Sequence, residues 1–89
     1  MKTRILFVDD EPNVLSALRR MFHDMRGEWE MAFATDGPSG LAMIAEQPFD
    51  IVVADMRMPG MDGATFLREA QAANPGAIRI VLSGHSDRD

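Results

Sequence analysis

Three apolar runs of strand length each end on a reactive group: Ile5-Leu6-Phe7-Val8 on Asp9-Asp10, Ile51-Val52-Val53-Ala54 on Asp55, and Ile78-Arg79-Ile80-Val81-Leu82 on Ser83. Between them lie segments whose apolar residues recur at helical spacing. Such continuous runs suit strands covered on both faces, and strands alternating with helices build a parallel sheet through right-handed crossovers. Ligands of these sheets bind beyond the carboxyl ends of the strands. The predicted fold is therefore α/β, a doubly wound parallel sheet, with three carboxylates and a hydroxyl gathered along one edge.

Pro12 opens the first helix, and Val14, Leu15, Leu18, Phe22 and Met25 carry it to a stop at Gly27. Trp29, Met31 and Phe33 alternate with Glu30 and Ala32 in a second, shorter strand nearer the sheet edge, with Trp29 partly in the core. Asp36-Gly37-Pro38 restarts a helix with the stripe Leu41, Ile44 and Ala45, and Pro48 closes it. Phe49 to Ala54 is the third strand. Asp62 is the expected N-cap of a helix carrying Phe66, Leu67 and Ala70, which Asn74-Pro75-Gly76 ends. Ile78 to Leu82 is the fourth strand, left as a bare edge although its apolar content belongs in an interior.

The 89 residues are enough for one domain. A net charge of −5 with scattered basic residues argues against a nucleic-acid surface. The absence of cysteine excludes disulfides and thiolate metal sites. After Lys2 and Arg4 the first apolar run stops at two aspartates, too soon for a signal-peptide core, and no stretch approaches the roughly 20 apolar residues of a membrane span. The expectation is a cytoplasmic domain with no direct nucleic-acid or membrane contact.

Adjacent carboxylates resist being ionised together, and a cation relieves them. Asp9, Asp10 and Asp55 would form a hard, oxygen-rich, incomplete shell suited to Mg²⁺, which keeps several waters and leaves room for phosphoryl oxygens. The bland alternative for Asp9 and Asp10 is capping of the helix at Pro12, and for Asp55 a solvated loop acid. An EF-hand beginning at Asp9 fails, because Val14 stands where that loop needs glycine and Arg20 where it needs glutamate. A phosphatase of the haloacid dehalogenase type needs a second aspartate two residues after the nucleophile, where this chain has Arg57. Met56, Met58 and Met61 are read as gap-filling side chains beside hard ligands. His85 is read as an exposed loop residue.

Taken together, Asp9-Asp10, the strand Asp50 to Asp55, the run Asp55-Met56-Arg57-Met58-Pro59-Gly60-Met61-Asp62-Gly63, and Leu82-Ser83-Gly84 make the chain resemble the receiver domain of two-component response regulators along essentially its whole length. The resemblance implies a flavodoxin-like sheet of order 2-1-3-4-5. It implies that Asp55 is the phosphoacceptor, that Asp10 is a direct Mg²⁺ ligand, that Asp9 positions the metal, and that the backbone carbonyl of Arg57 completes the shell. Ser83 matches the switch hydroxyl. A histidine kinase or phosphotransfer protein would donate the phosphoryl group, and an output domain beyond residue 89 would read the change. The domain itself would not be a stand-alone enzyme. Ser83-Gly84-His85-Ser86-Asp87 is similar to receivers joined to HD-type or HDOD output domains.

Measured against that pattern, residues 1–89 read as an incomplete receiver domain, truncated after strand four. Strand five, its lysine and the last helices are absent, and the only lysine is Lys2. The bare edge is then expected to be covered by a homo-oligomer, by a swapped dimer or by another segment. The rival reading is an interaction module of the same fold that works without phosphorylation.

Overall fold

The computed structural model describes residues 2–82. Strands β1 (Thr3–Val8), β2 (Trp29–Ala34), β3 (Ile51–Asp55) and β4 (Ile78–Leu82) alternate with helices α1 (Pro12–Met21), α2 (Gly37–Glu46) and α3 (Gly63–Ala73). All strands are parallel, in the order β2-β1-β3-β4. Val8 lies beside Ala54, and Asp55 beside Leu82, so β1, β3 and β4 end at nearly the same level. That alignment brings residues from distant parts of the chain to one edge.

Alternation along each strand separates two apolar layers. Leu6, Val8, Val52 and Ala54 pack with Ile44 of α2 and with Phe66, Leu67 and Ala70 of α3. Ile5, Phe7 and Val53 point to the opposite face, against Leu15 of α1 and the partly buried Leu18, Phe22, Trp29, Met31 and Phe33. Phe7 stacks on Phe33 with ring centroids 5.3 Å apart. Each layer thus uses every second residue of the same strands.

Three boundaries differ from the sequence expectation. The first helix ends at Met21 rather than running to Met25, and a 3₁₀ turn at His23–Met25 follows. Phe22 causes the break: its ring lies 6.1 Å from Phe7 and 5.4 Å from Trp29, and holding it under the sheet tightens the chain before Gly27 is reached. The first strand begins earlier, at Thr3, whose N–H donates to the Glu28 carbonyl at 3.2 Å. The third strand runs from Ile51 to Asp55 rather than from Phe49 to Ala54, because the Phe49 N–H donates to Asn74 Oδ1 at 2.6 Å instead of joining the sheet ladder.

Arg4 ties together the amino end of the sheet. Its guanidinium donates to Glu30 Oε2 at 2.6 Å and to the Pro48 carbonyl at 2.9 Å, and lies 4.7 Å from the centre of the Phe49 ring. Its backbone N–H donates to Asp50 Oδ2 at 2.8 Å. Among the described residues β4 pairs only with β3, and Ile78, Ile80 and Val81 are exposed. The expected apolar edge is therefore present.

Asp36 caps α2 by accepting the Ser39 N–H at 2.7 Å. That hydrogen bond holds its carboxyl below the usual range, so its contribution to stability is present above the ordinary aspartate pKa and is lost as pH falls through the lowered one. Asp36→Ala is expected to lower the melting temperature at neutral pH by about 5 °C. The difference from wild type should vanish in scanning calorimetry below pH 3.

Candidate functional site

Asp9 follows the last residue of β1, and its N–H still donates to the Ala34 carbonyl at 3.1 Å, which fixes the chain as it leaves the sheet. The next turn is set by Asp9 itself, whose Oδ1 accepts the Glu11 N–H at 2.9 Å. The residue at the α1 N-cap is Glu11, and no side chain caps that helix. Helix capping therefore does not account for the acidic pair. Asp9 is buried, Asp55 is half-buried at the end of β3, and Asp10 is exposed.

One oxygen from each of Asp9, Asp10 and Asp55 falls within 4.8 Å of the others, close enough to hold a metal ion together. Burial raises the Asp9 pKa, and the charges of Asp55, Asp10 and Glu11 push it further; the Glu11 N–H opposes them. Asp9 is thus held where both desolvation and like-charge repulsion disfavour its charged form. The raised pKa means that this group favours the fold below the ordinary aspartate pKa and that the benefit is lost as pH rises through the raised value. Asp9→Asn keeps the acceptor for the Glu11 N–H and removes the charge. We expect it to raise the melting temperature by a few degrees in EDTA and to shrink the gain that Mg²⁺ produces, both read by calorimetry.

The loop after Asp55 is shaped from below. Met58 is buried in the layer shared with α2 and α3, and Met61 packs against the same layer. The gap-filling reading of the methionines holds for these two, whereas Met56 is exposed. Gly60 takes a positive φ of 83°, which a side chain would strain. Asp62 caps α3 as expected, accepting the Thr65 N–H at 2.8 Å. Arg57, whose carbonyl was expected to complete the metal shell, lies exposed in this loop two residues after Asp55.

Ser83, the expected switch hydroxyl, lies outside the described residues, as do Gly84 and His85; Leu82 immediately before it is the partner of Asp55 in the ladder. Lys2 precedes β1, at the far end of the sheet from the acidic cluster. Trp29 also sits at that end, opposite Thr3, about 17 Å of strand from the site, and so makes a poor reporter of metal binding. Sequence reasoning missed the steric role of Gly63, whose backbone lies directly against that of Asp55 and Met56. The signal was its place directly after the capping Asp62 and close in sequence to Asp55.

A family model for the response regulator receiver domain matches residues 5–89. The chain belongs to this family. As a receiver domain it serves in phosphorelay signalling in two-component systems, and the rival reading as a phosphorylation-independent module is not favoured. It is 41% identical over 85 residues to protein-glutamate methylesterase/protein-glutamine glutaminase 6 of Anaeromyxobacter dehalogenans, covering 96% of this chain and 24% of that protein. It is 34% identical over 85 residues to the hydrogenase transcriptional regulatory protein HoxA of Cupriavidus necator, covering 96% of this chain and 17% of that protein. The receiver thus spans about a quarter or less of these relatives, one of which is named as an enzyme.

Among solved structures, the signal receiver domain of an HD domain-containing protein from Pseudomonas fluorescens superposes with a TM-score of 0.89 at 29% identity, covering 98% of this chain and 68% of that one. A CheY-like receiver from Methanospirillum hungatei gives 0.86 at 28%, with the same shares covered. Receiver domains bind Mg²⁺ at an acidic pocket, and the described residues of this one contain such a carboxylate cluster. None of the helices described here is long and apolar enough to cross a membrane.

Proposed function

We propose that this receiver domain accepts a phosphoryl group on Asp55 in a Mg²⁺-dependent step. One observation carries the reading: carboxylates from β1 and β3 converge at the carboxyl edge of a parallel sheet, with Asp9 held at an electrostatic cost. The three hard oxygens fit a small divalent cation and leave part of its shell open. Asp10 would be a direct ligand, Asp9 would act partly through water, and the Arg57 carbonyl would add a further oxygen. When bound, the ion supplies positive charge that offsets repulsion between the Asp55 carboxylate and the incoming phosphoryl group.

An Asp55 carboxylate oxygen attacks phosphorus, the bond from phosphorus to the donor's histidine nitrogen breaks, and the imidazole leaves with a proton from solvent. The donor is a histidine kinase or phosphotransfer protein. Ser83 would bond the new phosphoryl oxygens and shift the ensemble toward the active conformation, which an output domain beyond residue 89 reads. The apolar edge of β4 is covered in the assembled protein, by a second copy or a further segment, and the location is cytoplasmic.

Incubation with a small phosphodonor such as phosphoramidate is expected to add one acid-labile phosphate per chain with Mg²⁺ and none with EDTA, by intact mass. Metal-independent labelling would sink the reading. Sustained release of many equivalents of phosphate from a generic ester would point instead to a phosphohydrolase.

A further inference from the structure

We propose that Gly63 is a positioning residue for phosphoryl acceptance: lacking a side chain, it lets the start of α3 press against the Asp55–Met56 peptide and hold the acceptor in register. This role rests on the assignment of Asp55 as acceptor. A Cβ at Gly63 would overlap the Asp55 carbonyl oxygen and would lie 2.8 Å from Met56 Cα and 3.0 Å from the Asp55 carbonyl carbon. These obstacles are all backbone atoms at a strand end, where Asp55 pairs with Leu82 and the Met56 N–H donates to the Leu82 carbonyl at 3.4 Å. They cannot rotate aside as a side chain would.

Gly63 needs the space rather than unusual dihedrals, because among the described residues Gly60 is the glycine with positive φ. Its N–H donates to the Met56 carbonyl at 2.9 Å, so the contact is bonded as well as close. From the other side α3 is held by the Asp62 cap and by buried Phe66 and Leu67. The helix is therefore wedged between the core and the peptide that carries the acceptor. The other described glycines are placed differently. At Gly37 the nearest obstacle is the flexible Met61 thioether at 2.6 Å, at Gly40 it is core side chains at 3.0 Å, and at Gly76 there is nothing within 4 Å.

Any side chain at position 63 must move the peptide by roughly an ångström. The displacement passes to the Asp55 carboxylate on one side and to the loop bearing the Arg57 carbonyl on the other. Reactions that depend on placed oxygens respond to such shifts by factors of ten to a hundred.

The test compares Mg²⁺ Kd by titration calorimetry, and the initial rate of phosphate uptake from phosphoramidate at saturating Mg²⁺, in wild type, Gly63→Ala, Leu67→Ala and Gly76→Ala, all well below their melting temperatures. Gly63→Ala is expected to raise Kd and to lower the maximal rate, each at least about tenfold. Leu67→Ala, which loosens the same helix from within the core without touching the contact, should melt earlier with a rise in Kd well below that of Gly63→Ala, and Gly76→Ala should change neither. If Gly63→Ala merely melts earlier, with Kd and rate within threefold of wild type, the positioning role is overturned. Should Gly63→Ala fail to fold, Asp62→Ala frays the same turn without adding an atom to the contact. A several-fold rise in its Mg²⁺ Kd supports the role, and an unchanged Kd overturns it. A wild-type chain that binds Mg²⁺ but takes no phosphate on Asp55 removes the acceptor assignment, while the Kd comparison still decides what Gly63 does for the metal site.

Discussion

Asp55→Asn is expected to abolish phosphate uptake, lowering the initial rate from phosphoramidate by at least about a thousandfold while the fold survives. The amide is nearly the same shape as the carboxylate and stays at the end of β3, beside Leu82. What it lacks is an anionic oxygen able to attack phosphorus and to share a divalent cation. Substitution also removes one of the three charges that crowd together. The melting temperature in EDTA should therefore stay level or rise, which separates lost chemistry from lost structure. Labelling of the variant at the wild-type rate, with the phosphate mapped to another residue, would overturn the assignment of Asp55.

Phe66→Ala should have the largest effect on stability. Phe66 is fully buried at the centre of the layer formed by β1, β3, α2 and α3, and its ring lies against Gly40 of α2. Removing a buried phenyl ring costs about 3 to 5 kcal/mol, and the cavity can close only if α2 or α3 shifts. Domain stabilities are about 5 to 15 kcal/mol, and a chain of this length belongs at the low end. The variant is expected to be largely unfolded at 37 °C, with a urea midpoint well below that of wild type. Wild-type stability would mean that the layer repacks without loss and that the two helices are not locked together by this ring.

The strand-helix order was legible because nearly every boundary carries its own local chemistry: Pro12 opens α1, Asp36 and Asp62 accept the N–H groups expected of caps, and Asn74-Pro75-Gly76 ends α3. The meeting of three carboxylates was legible for the same reason, since Asp9 directly follows one apolar run with Asp10 beside it and Asp55 ends another. Less legible were features decided across the sheet. Phe22 breaks α1 because of rings on β1 and β2, and Phe49 leaves the ladder because Asn74, 25 residues away, accepts its N–H. Neither is encoded by local spacing. Gly63 is the same kind of case, because a glycine at the first position of a helix carries no local sign of a close contact until the neighbouring backbone is in view.

The network around Arg4 gives the domain two unlike ends. At the amino end one guanidinium spans β1, β2 and the approach to β3 with opposite charge, carbonyl and aromatic ring. At the other end like charges face one another across the mouths of two strands. Charge neutralisation by a cation therefore acts at the loop-bearing end of the sheet, five residues of strand away from the cross-strand ties that Arg4 makes.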